Sequence, residues 1–405
     1  MTKATVADAV RTIREGGLVL VLDDEDRENE GDLVMAAEHA APEAIGFMVR
    51  HTSGILCVAM TGERLDALKI PMMVGDNTDP RGTAFTVSVD VLAGTTTGIS
   101  AGDRTSTIQA LIDPSATAVD FARPGHVFPL RYREGGVLKR AGHTEAAVDL
   151  AKAAGLRPAG ILAEVVNADG TVARRPQLEG FAAEHGIPMI TVADLIRHRQ
   201  RCETLVTRVS EARLPTVWGE ARAVVFQSDL DGDEHVAVVY GDPTADVGGE
   251  GTLVRVHSEC LTGDVLGSLR CDCGVQLQAS MQQIGVEGCG VVVYLRGHEG
   301  RGIGLTAKMR AYTLQDQMGL DTVDANVALG LPVDSREYGI GAQILKDLGL
   351  SRIRLLTNNP AKYQGLEGYD ITITGRVPLL ADSTVDNQLY LDAKRERMGH
   401  LLQAH

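Results

Sequence analysis

Residues 17–37, GLVLVLDDEDRENEGDLVMAA, set the frame for the first half of the chain. The apolar run before the acidic stretch reads as a buried strand, and LVMAA resumes apolar chain after it. Between them lie seven carboxylates: Asp23, Asp24, Glu25, Asp26, Glu28, Glu30 and Asp32. Most charge runs are solvated faces. A turn held between two buried strands is instead a place for function. Clustered carboxylates there suit a hard cation such as Mg²⁺, which keeps some water and completes its octahedron with substrate oxygens.

Working outward, ILCVAMT, AFTVSVD, GILAEVVN and MITVAD read as further strands, alternating with helical patterns. SAGDRTSTIQALID is a helix opened by Ser100 and stopped by Pro114, and HTEAAVDLAKAAG is one with Thr144 as its expected N-cap and Gly155 as its stop. Arg140, Gly142, His143 and Thr144 precede that helix. A cation, exposed N–H groups and a hydroxyl at a helix start make a phosphate cradle. His126, in RPGHVFPL, and His143 each favour a structural role when taken singly.

From about residue 200 the texture changes. LIRHRQRCETLVTRVSEARLPT is polar and basic, ends at a proline and is the best boundary candidate. Strands restart with ARAVVFQS, HVAVVYGD, LVRVHSEC, GCGVVVYL and RIRLLTNN. After GHEGRG, an apolar stripe of Ile303, Ala307, Ala311, Leu314 and Met318 predicts a helix closed by Gly319. At 405 residues, the usual ~100–200 residues per domain gives two or three domains. The expected fold is α+β or mixed α/β: two dissimilar domains, 1–200 and 201–405, each a mixed sheet with packed helices.

A net charge of −15 argues against nucleic acid or an anionic membrane surface as a partner, since either favours a basic face. Six cysteines in so long a chain are no disulfide framework, and their clustering points to metal or catalysis in a reducing compartment. The first residues lack the apolar core of a signal peptide, and no apolar run approaches the ~18 residues of a membrane span. A cytoplasmic protein is expected. Cys289 in its apolar run and Cys57 in ILCVAM read as core thiols; His235, His400 and His405 read as surface histidines.

The sharpest motif of the second half is HSECLTGDVLGSLRCDCG, residues 257–274. Cys260, Cys271 and Cys273 supply three zinc-type ligands with no fourth cysteine nearby. Structural zinc sites are closed by four protein ligands, whereas catalytic ones leave a position open. The site is thus either open or closed by a distant ligand such as His257. His257 and Glu259 as acid–base partners, and Arg255 and Arg270 as cations, favour the open form. GHEGRGIGL adds flexible glycines and Arg301 at a helix start, where an anion is favoured.

RVHSECLTGDVLGSLRCDCGVQLQ, EGRGIGL, DSREYGIGAQIL and LLTNNPAKY, in this order, closely resemble GTP cyclohydrolase II over residues 206–405. That resemblance implies opening of the GTP imidazole ring, loss of C8 as formate and release of pyrophosphate. Zinc would be held by Cys260, Cys271 and Cys273, where water acidified toward pKa ~7 would supply hydroxide. GTP contacts would come from Arg255, Val256, His257, Ser258, Glu259, Gln276, Glu299, Gly300, Arg301, Thr322, Thr357 and Lys362. Arg301 and Lys362 suit the phosphates, Gln276 and Glu299 the guanine edge. Asp334 would be the proton acceptor and Arg336 the nucleophile. A guanidinium stays protonated below pH ~12, so clamping of the triphosphate stands beside attack as the role of Arg336.

DRENEGDL, HTSGILCVAM, TAFTVSVD, TTTGISAGDR, RPGHVFPLR, RAGHTEA and GILAEVVN likewise resemble 3,4-dihydroxy-2-butanone 4-phosphate synthase over about residues 3–200. The implied reaction converts ribulose 5-phosphate into a four-carbon phosphate and formate. Glu28 and His143 would bind Mg²⁺ or Mn²⁺. Arg27, Glu28, Asp32, Arg140, Ala141, Gly142, His143, Thr144 and Glu164 would contact the sugar phosphate, with His126 and Glu164 catalytic. Both products are riboflavin precursors, and both families imply a homodimer. The departures are slight: His298 stands where glutamine is expected, and His198 where an aromatic is common. The alternatives are one inactive half acting as a scaffold, or a zinc-dependent GTP sensor.

Overall fold

The computed structural model describes residues 4–24, 27–79, 81–245, 249–331, 338–359, 366, 369–379, 384, 386–398 and 401. Two compact units divide the chain, Met1–Gln200 and Arg201–His405. Each is built on a seven-stranded mixed sheet with packed helices, the mixed α/β class expected from sequence.

The first unit contains β1 (Val19–Leu22), β2 (Gly31–Ala36), β3 (Cys57–Met60), β4 (Val89–Val91), β5 (Phe121–Arg131), β6 (Ala159–Glu164) and β7 (Met189–Thr191). They lie in the order β4-β5-β3-β6-β2-β1-β7. β1 and β2 form an antiparallel pair with the acidic turn at their tip, Leu22 facing Gly31. Both strands are buried throughout, because helices cover both faces of the sheet. Leu20, Leu33 and Met35 enter one core cluster, while Val19, Val21 and Val34 enter the other. Thus the strand period of two divides the apolar residues between two cores.

β5 is a strand that the sequence conceals. Pro124, Gly125 and Pro129 break the pattern of apolar alternation, and proline gives no ladder N–H. The strand accommodates them through a register shift against β4 at Val89/Asp90. A Cβ on Gly125 would lie 2.0 Å from the Val89 carbonyl carbon, so only glycine permits this approach.

The second unit contains β8 (Val206–Thr216), β9 (Gly219–Ser228), β10 (Glu234–Tyr240), β11 (Thr252–Ser258), β12 (Gly290–Leu295), β13 (Arg352–Leu356) and β14 (Thr372–Val377). Their order is β14-β13-β11-β12-β10-β9-β8. β12, β11, β13 and β14 run parallel, whereas β12, β10, β9 and β8 are successively antiparallel. The polar boundary segment includes β8, an exposed edge strand paired with β9 at one end of the sheet. Its charged side chains suit an edge.

Three sequence expectations are corrected. The helix His143–Ala153 begins one residue before Thr144 and is capped by Gly142. Cys289 sits partly exposed before β12, its thiol 3.1 Å from the Asp242 carbonyl, because β12 starts only at Gly290. His235 is buried and accepts a hydrogen bond from the Arg296 N–H at 3.2 Å. His400 and His405 lie outside the described residues.

Gly160 of β6 lets the helix His143–Ala153 approach the sheet; a Cβ there would meet the Ala147 carbonyl oxygen at 2.6 Å. Gly160→Ala is therefore expected to destabilise this unit by about 1–3 kcal/mol through overpacking. Urea unfolding followed by circular dichroism checks it, and an unchanged first transition would show that the contact relaxes freely.

Candidate active sites

In the first unit the acidic turn is organised by Asp23, which is buried at the end of β1. Its Oδ1 accepts the Glu30 N–H at 2.9 Å, and its Oδ2 accepts the Glu28 N–H at 3.1 Å and Arg27 Nη1 at 2.8 Å. Arg174 donates to the Glu28 and Asn29 carbonyls, both at 2.6 Å. Asn29 takes a left-handed φ of 54°, which turns the chain back toward β2. Every Asp23 oxygen serves the turn, and Glu28 is thereby held facing the start of the helix His143–Ala153.

Glu28 and Asp23 converge there on His143 as a group able to hold a metal ion. His143 Nδ1 lies 3.7 Å from Glu28 Oε2 and 3.6 Å from Asp32 Oδ1, beyond direct hydrogen bonding. His143 Nε2 and Asp32 Oδ1 are buried without a protein partner. Such orphaned polar atoms are costly unless a cation, water or substrate completes them. The donor set, oxygen with one imidazole, fits Mg²⁺ or Mn²⁺.

The charges are strongly coupled. The His143 imidazole, aided by Arg27, outweighs partial burial and holds Glu28 down at about 2. Burial pushes Asp32 up to about 7, with Glu164, Glu28 and Glu30 adding to it against His143. Burial also opposes charge on His143, but Asp32 and Glu28 outweigh it and raise the imidazole to about 9.

Sheet register aligns the other residues. Asp32 pairs with Glu164 between β2 and β6. Cys57 of β3 is level with both Phe128 of β5 and Leu162 of β6. Two residues on from these pairs, His126 and Glu164 therefore stand in one row at the same end of the sheet. Ser53 Oγ donates to Glu164 Oε2 at 2.8 Å. His126 is gripped by Asp90 of β4: Nδ1 lies 2.6 Å from Oδ2, and the His126 N–H donates to Oδ1 at 2.8 Å. Gly98 packs on this pair so closely that a Cβ would lie 2.1 Å from Asp90 Oδ2. Asp103 fixes the Gly98 loop by accepting its N–H at 3.1 Å and Thr96 Oγ1 at 2.7 Å.

Beside the helix start, Arg140 is bound by Glu145 at 2.7 Å. A Cβ on Gly142 would lie 2.5 Å from Arg140 Nη1 and 3.0 Å from Arg27 Nη2, so two guanidiniums converge where the helix exposes its first N–H groups. Ala141 and Thr144 flank this point. Asp23, Asp90 and Ser53 were absent from the sequence-derived set. Asp23 was visible within the acidic run, but no local signal linked Asp90 to His126. Cys57, buried beside Glu164 and Asp32, has its thiol pushed up by burial, the state of an inert core cysteine.

In the second unit, the site loops follow the C-terminal ends of three parallel strands, where open α/β sheets place ligands. Glu259 and Cys260 follow β11, Glu299–Arg301 follow β12, and Thr357 follows β13. Cys260, Cys271 and Cys273 converge as a second metal-ligand group. Cys260 Sγ and Cys271 Sγ are 3.7 Å apart. Two thiolates ~2.3 Å from a tetrahedral zinc would be separated by about 3.8 Å. Gly263 packs against the sulfurs, with its would-be Cβ 2.8 Å from Cys271 Sγ.

His257 is not part of this group. Its Nε2 is 3.1 Å from both Asp264 oxygens, and its ring stacks on Tyr294. Among the described residues no fourth His, Cys, Asp or Glu joins the three cysteines. Asp264 also accepts the Cys260 N–H at 3.0 Å and the Tyr294 hydroxyl at 2.9 Å, so the histidine belongs to the frame that holds the cysteine loop.

Lys308 is an unexpected member of the site. It lies on the helix Leu305–Met318, whose buried residues are Lys308 and Ala311. Of the predicted apolar stripe, Ala311 is buried and Ile303, Ala307 and Leu314 are half-buried, while Met318 at the helix end is exposed. Lys308 Nζ donates to Cys260 Sγ at 3.2 Å, Thr262 Oγ1 at 2.7 Å and Glu299 Oε1 at 2.6 Å. Hydrogen bonds from the Cys271 and Cys273 thiols, with Lys308, hold Cys260 far below an ordinary thiol. Its hydrogen bond to Cys260 pushes Cys271 up to about 11.

A cleft of about 330 Å³ opens beside the cysteines, lined among others by Ser258, Glu259, Arg301, Tyr312, Thr322 and Tyr390. A smaller one of about 50 Å³ shares Ser258, Cys273, Arg301 and Tyr390 and adds Arg255, His257, Gln276 and Thr357. Gly300 and Arg301 are both left-handed, with φ of 58° and 65°. Such a conformation at a non-glycine residue stores strain and aims Arg301 along the shared wall. Gln276 and Glu299 already engage protein groups. Gln276 donates to Asp272 at 2.6 Å and accepts from Arg255 at 2.7 Å, while Glu299 also accepts the Leu261 N–H at 2.6 Å. Val256 contributes backbone only, its side chain being core. His298 is 3.2 Å from Ser258 Oγ. Asp334, Arg336 and Lys362 lie outside the described residues.

A family model described as 3,4-dihydroxy-2-butanone 4-phosphate synthase matches residues 7–198, and one described as GTP cyclohydrolase II matches residues 207–378. Over 401 residues the chain is 59% identical to the bifunctional riboflavin biosynthesis protein RIBA 1, chloroplastic, of Arabidopsis thaliana, covering 98% of this chain and 73% of that one. It is 56% identical over 402 residues to a probable monofunctional riboflavin biosynthesis protein, RIBA 3, chloroplastic, of Oryza sativa subsp. japonica, covering 98% and 74%. The crystal structure of RibBX, a two-domain 3,4-dihydroxy-2-butanone 4-phosphate synthase from A. baumannii, superposes with a TM-score of 0.71 at 35% identity, covering 94% of this chain and all of that one.

Two mixed sheets, each ending in its own polar site, define a two-domain enzyme acting on small phosphorylated substrates. The chain belongs to the bifunctional riboflavin biosynthesis family, joining a 3,4-dihydroxy-2-butanone 4-phosphate synthase domain to a GTP cyclohydrolase II domain. No described helix is long and apolar enough to cross a membrane.

Asp90→Asn keeps the shape of the His126 pair but removes the charge and reverses one hydrogen bond. It is expected to lower formate release from ribulose 5-phosphate by about 10²-fold or more while leaving the GTP reaction intact. Full activity would show that Asp90 is only a packing partner.

Proposed function

We propose that the first unit converts D-ribulose 5-phosphate into L-3,4-dihydroxy-2-butanone 4-phosphate and formate at the His143 end of its sheet. Glu28 and His143 would hold Mg²⁺ or Mn²⁺. Bound there, the cation supplies a Lewis acid that polarises substrate oxygens. Arg27, Arg140 and the Ala141–Thr144 backbone bind the phosphate, with opposite charge and helix N–H groups acting together. His126, with Nδ1 engaged by Asp90, offers its other ring nitrogen for proton transfer. Glu164, steadied by Ser53, exchanges protons from the same row, on the far side of β3. Asp32, buried with its Oδ1 unpartnered, keeps the substrate oriented.

We propose that the second unit hydrolyses GTP to 2,5-diamino-6-ribosylamino-4(3H)-pyrimidinone 5′-phosphate, formate and pyrophosphate. Cys260, Cys271 and Cys273 would hold one zinc, which would supply a water of lowered pKa. Arg301 and Lys362 bind the triphosphate. Arg255, Val256, His257, Ser258, Glu259, Gln276, Glu299, Gly300, Thr322 and Thr357 frame the nucleotide. Asp334 accepts a proton, and Arg336 either attacks or clamps the phosphates. Lys308 offsets the thiolate charge and keeps Glu299 in place.

The observation that carries the zinc reading is the sulfur spacing: 3.7 Å between two thiols, with no fourth protein ligand among the described residues. Relatives named for a single activity are also similar overall, so the two residue sets support both reactions more directly than identity does. GTP and ribulose 5-phosphate are the partners we assign. A net charge of −15 supports a chain without nucleic-acid or membrane partners. We read it as a cytoplasmic homodimer, in keeping with both families.

The test is to supply each substrate separately with defined metals and quantify formate. Cys271→Ser should lose zinc and the GTP reaction while keeping the sugar-phosphate reaction; loss of both would make the cysteines a staple for the whole fold. His143→Ala should lose only the sugar-phosphate reaction, and unchanged turnover at limiting Mg²⁺ would rule out its ligand role.

A further inference from the structure

The helix Gln388–Met398 lies beyond residue 378, where the GTP cyclohydrolase II match ends, yet it reaches into the cysteine site. Lys394, buried on this helix, donates to Asp272 Oδ1 at 2.5 Å. Asp272 is the residue between Cys271 and Cys273 and is 1% exposed. Its other oxygen accepts Gln276 Nε2 at 2.6 Å, Gln276 Oε1 accepts Arg255 Nη2 at 2.7 Å, and Arg255 Nη1 donates to the Leu356 carbonyl at 3.0 Å. One buried chain of alternating charge and dipole thus joins the last helix to the cysteine loop and the end of β13.

Two further ties hold the helix there. Arg397 bonds Asp321 at 2.6 Å and Asp324 at 2.8 Å, on the helix that begins with Thr322. Tyr390 lines both clefts, with the Lys394 ammonium 4.5 Å from its ring centre and the Arg301 guanidinium 5.7 Å away on a shared aromatic support. A buried carboxylate needs a partner, and breaking such a pair leaves an uncompensated charge. Beside two cysteines, that charge would repel a thiolate and pull the loop toward solvent.

We propose that Lys394 is a positioning residue of the GTP-converting site: it fixes Asp272, and through it the spacing of Cys271 and Cys273 and the aim of Gln276 and Arg255. The C-terminal helix is then a working wall of the site. This rests on the reading of the cysteines as a zinc site and adds to it a residue that touches neither metal nor nucleotide.

The experiment uses the full chain carrying zinc, with Lys394→Met, Lys394→Arg, Asp272→Asn and the double variant Asp272→Asn/Lys394→Met. Zinc transfer to a chromogenic chelator, GTP and ribulose 5-phosphate turnover, and amide hydrogen exchange over residues 271–276 are measured. Lys394→Met is expected to release zinc about tenfold faster or more, as loss of a supporting bond behind metal ligands does. It should lower kcat for GTP, speed exchange over residues 271–276 and spare the sugar-phosphate reaction. Lys394→Arg should largely restore all three, and Lys394→Met should add little once Asp272 is Asn.

Parent-like zinc transfer, exchange and GTP turnover in Lys394→Met would overturn the proposal. So would an undiminished effect in the Asp272→Asn background, or loss of the sugar-phosphate reaction as well, which would mark a general folding role. A parent chain that binds no zinc would instead refute the metal reading, and hydrogen exchange in the metal-free chain would still decide whether Lys394 holds the loop.

Discussion

Everything in the second unit depends on gathering three thiols in a buried place without letting their charge destroy it. Thiolates repel one another and lose hydration on burial, so the fold must surround them with compensation. Lys308 meets Cys260 directly, and Lys394 neutralises the carboxylate between the other two cysteines. Gly263 brings backbone against the sulfurs where any side chain would collide. Asp264 ties the Cys260 N–H, His257 and Tyr294 into one frame. The same frame explains why His257 does not close the coordination shell.

The first unit solves a related problem with opposite means. Its buried carboxylates are balanced by Arg27, Arg140 and His143, leaving His143 Nε2 and Asp32 Oδ1 buried without a hydrogen-bond partner. The sheet supplies alignment: Asp32, Glu164 and His126 share one row across three strands, so their relative heights are set by β-ladder hydrogen bonds rather than by flexible loops. Groups carried on rigid elements keep the spacing that proton transfer needs.

How much of this was legible in sequence follows from the range of the interactions. The acidic turn between β1 and β2 could be read because both flanks are apolar and the whole motif spans a few residues. The helix after Ser100 was equally plain, since Ser100 caps it locally at Asp103 N–H. β5 was hidden because its prolines break alternation and only a bulged partner absorbs them. Lys308 carried no local signal, because the partner it meets, Cys260, is 48 residues away. Asp90 was likewise invisible as the partner of His126, 36 residues distant. Local periodicity identifies elements, but it carries no information about which charge a distant strand or helix brings to meet another.

The most direct measurement is zinc K-edge absorption of the zinc-loaded full chain, with and without GTP. Three sulfurs at about 2.3 Å and one light, exchangeable donor are expected, with that donor's signal changing when GTP is added. A shell completed by a fourth sulfur or by imidazole, unaltered by GTP, would contradict an open site at Cys260, Cys271 and Cys273.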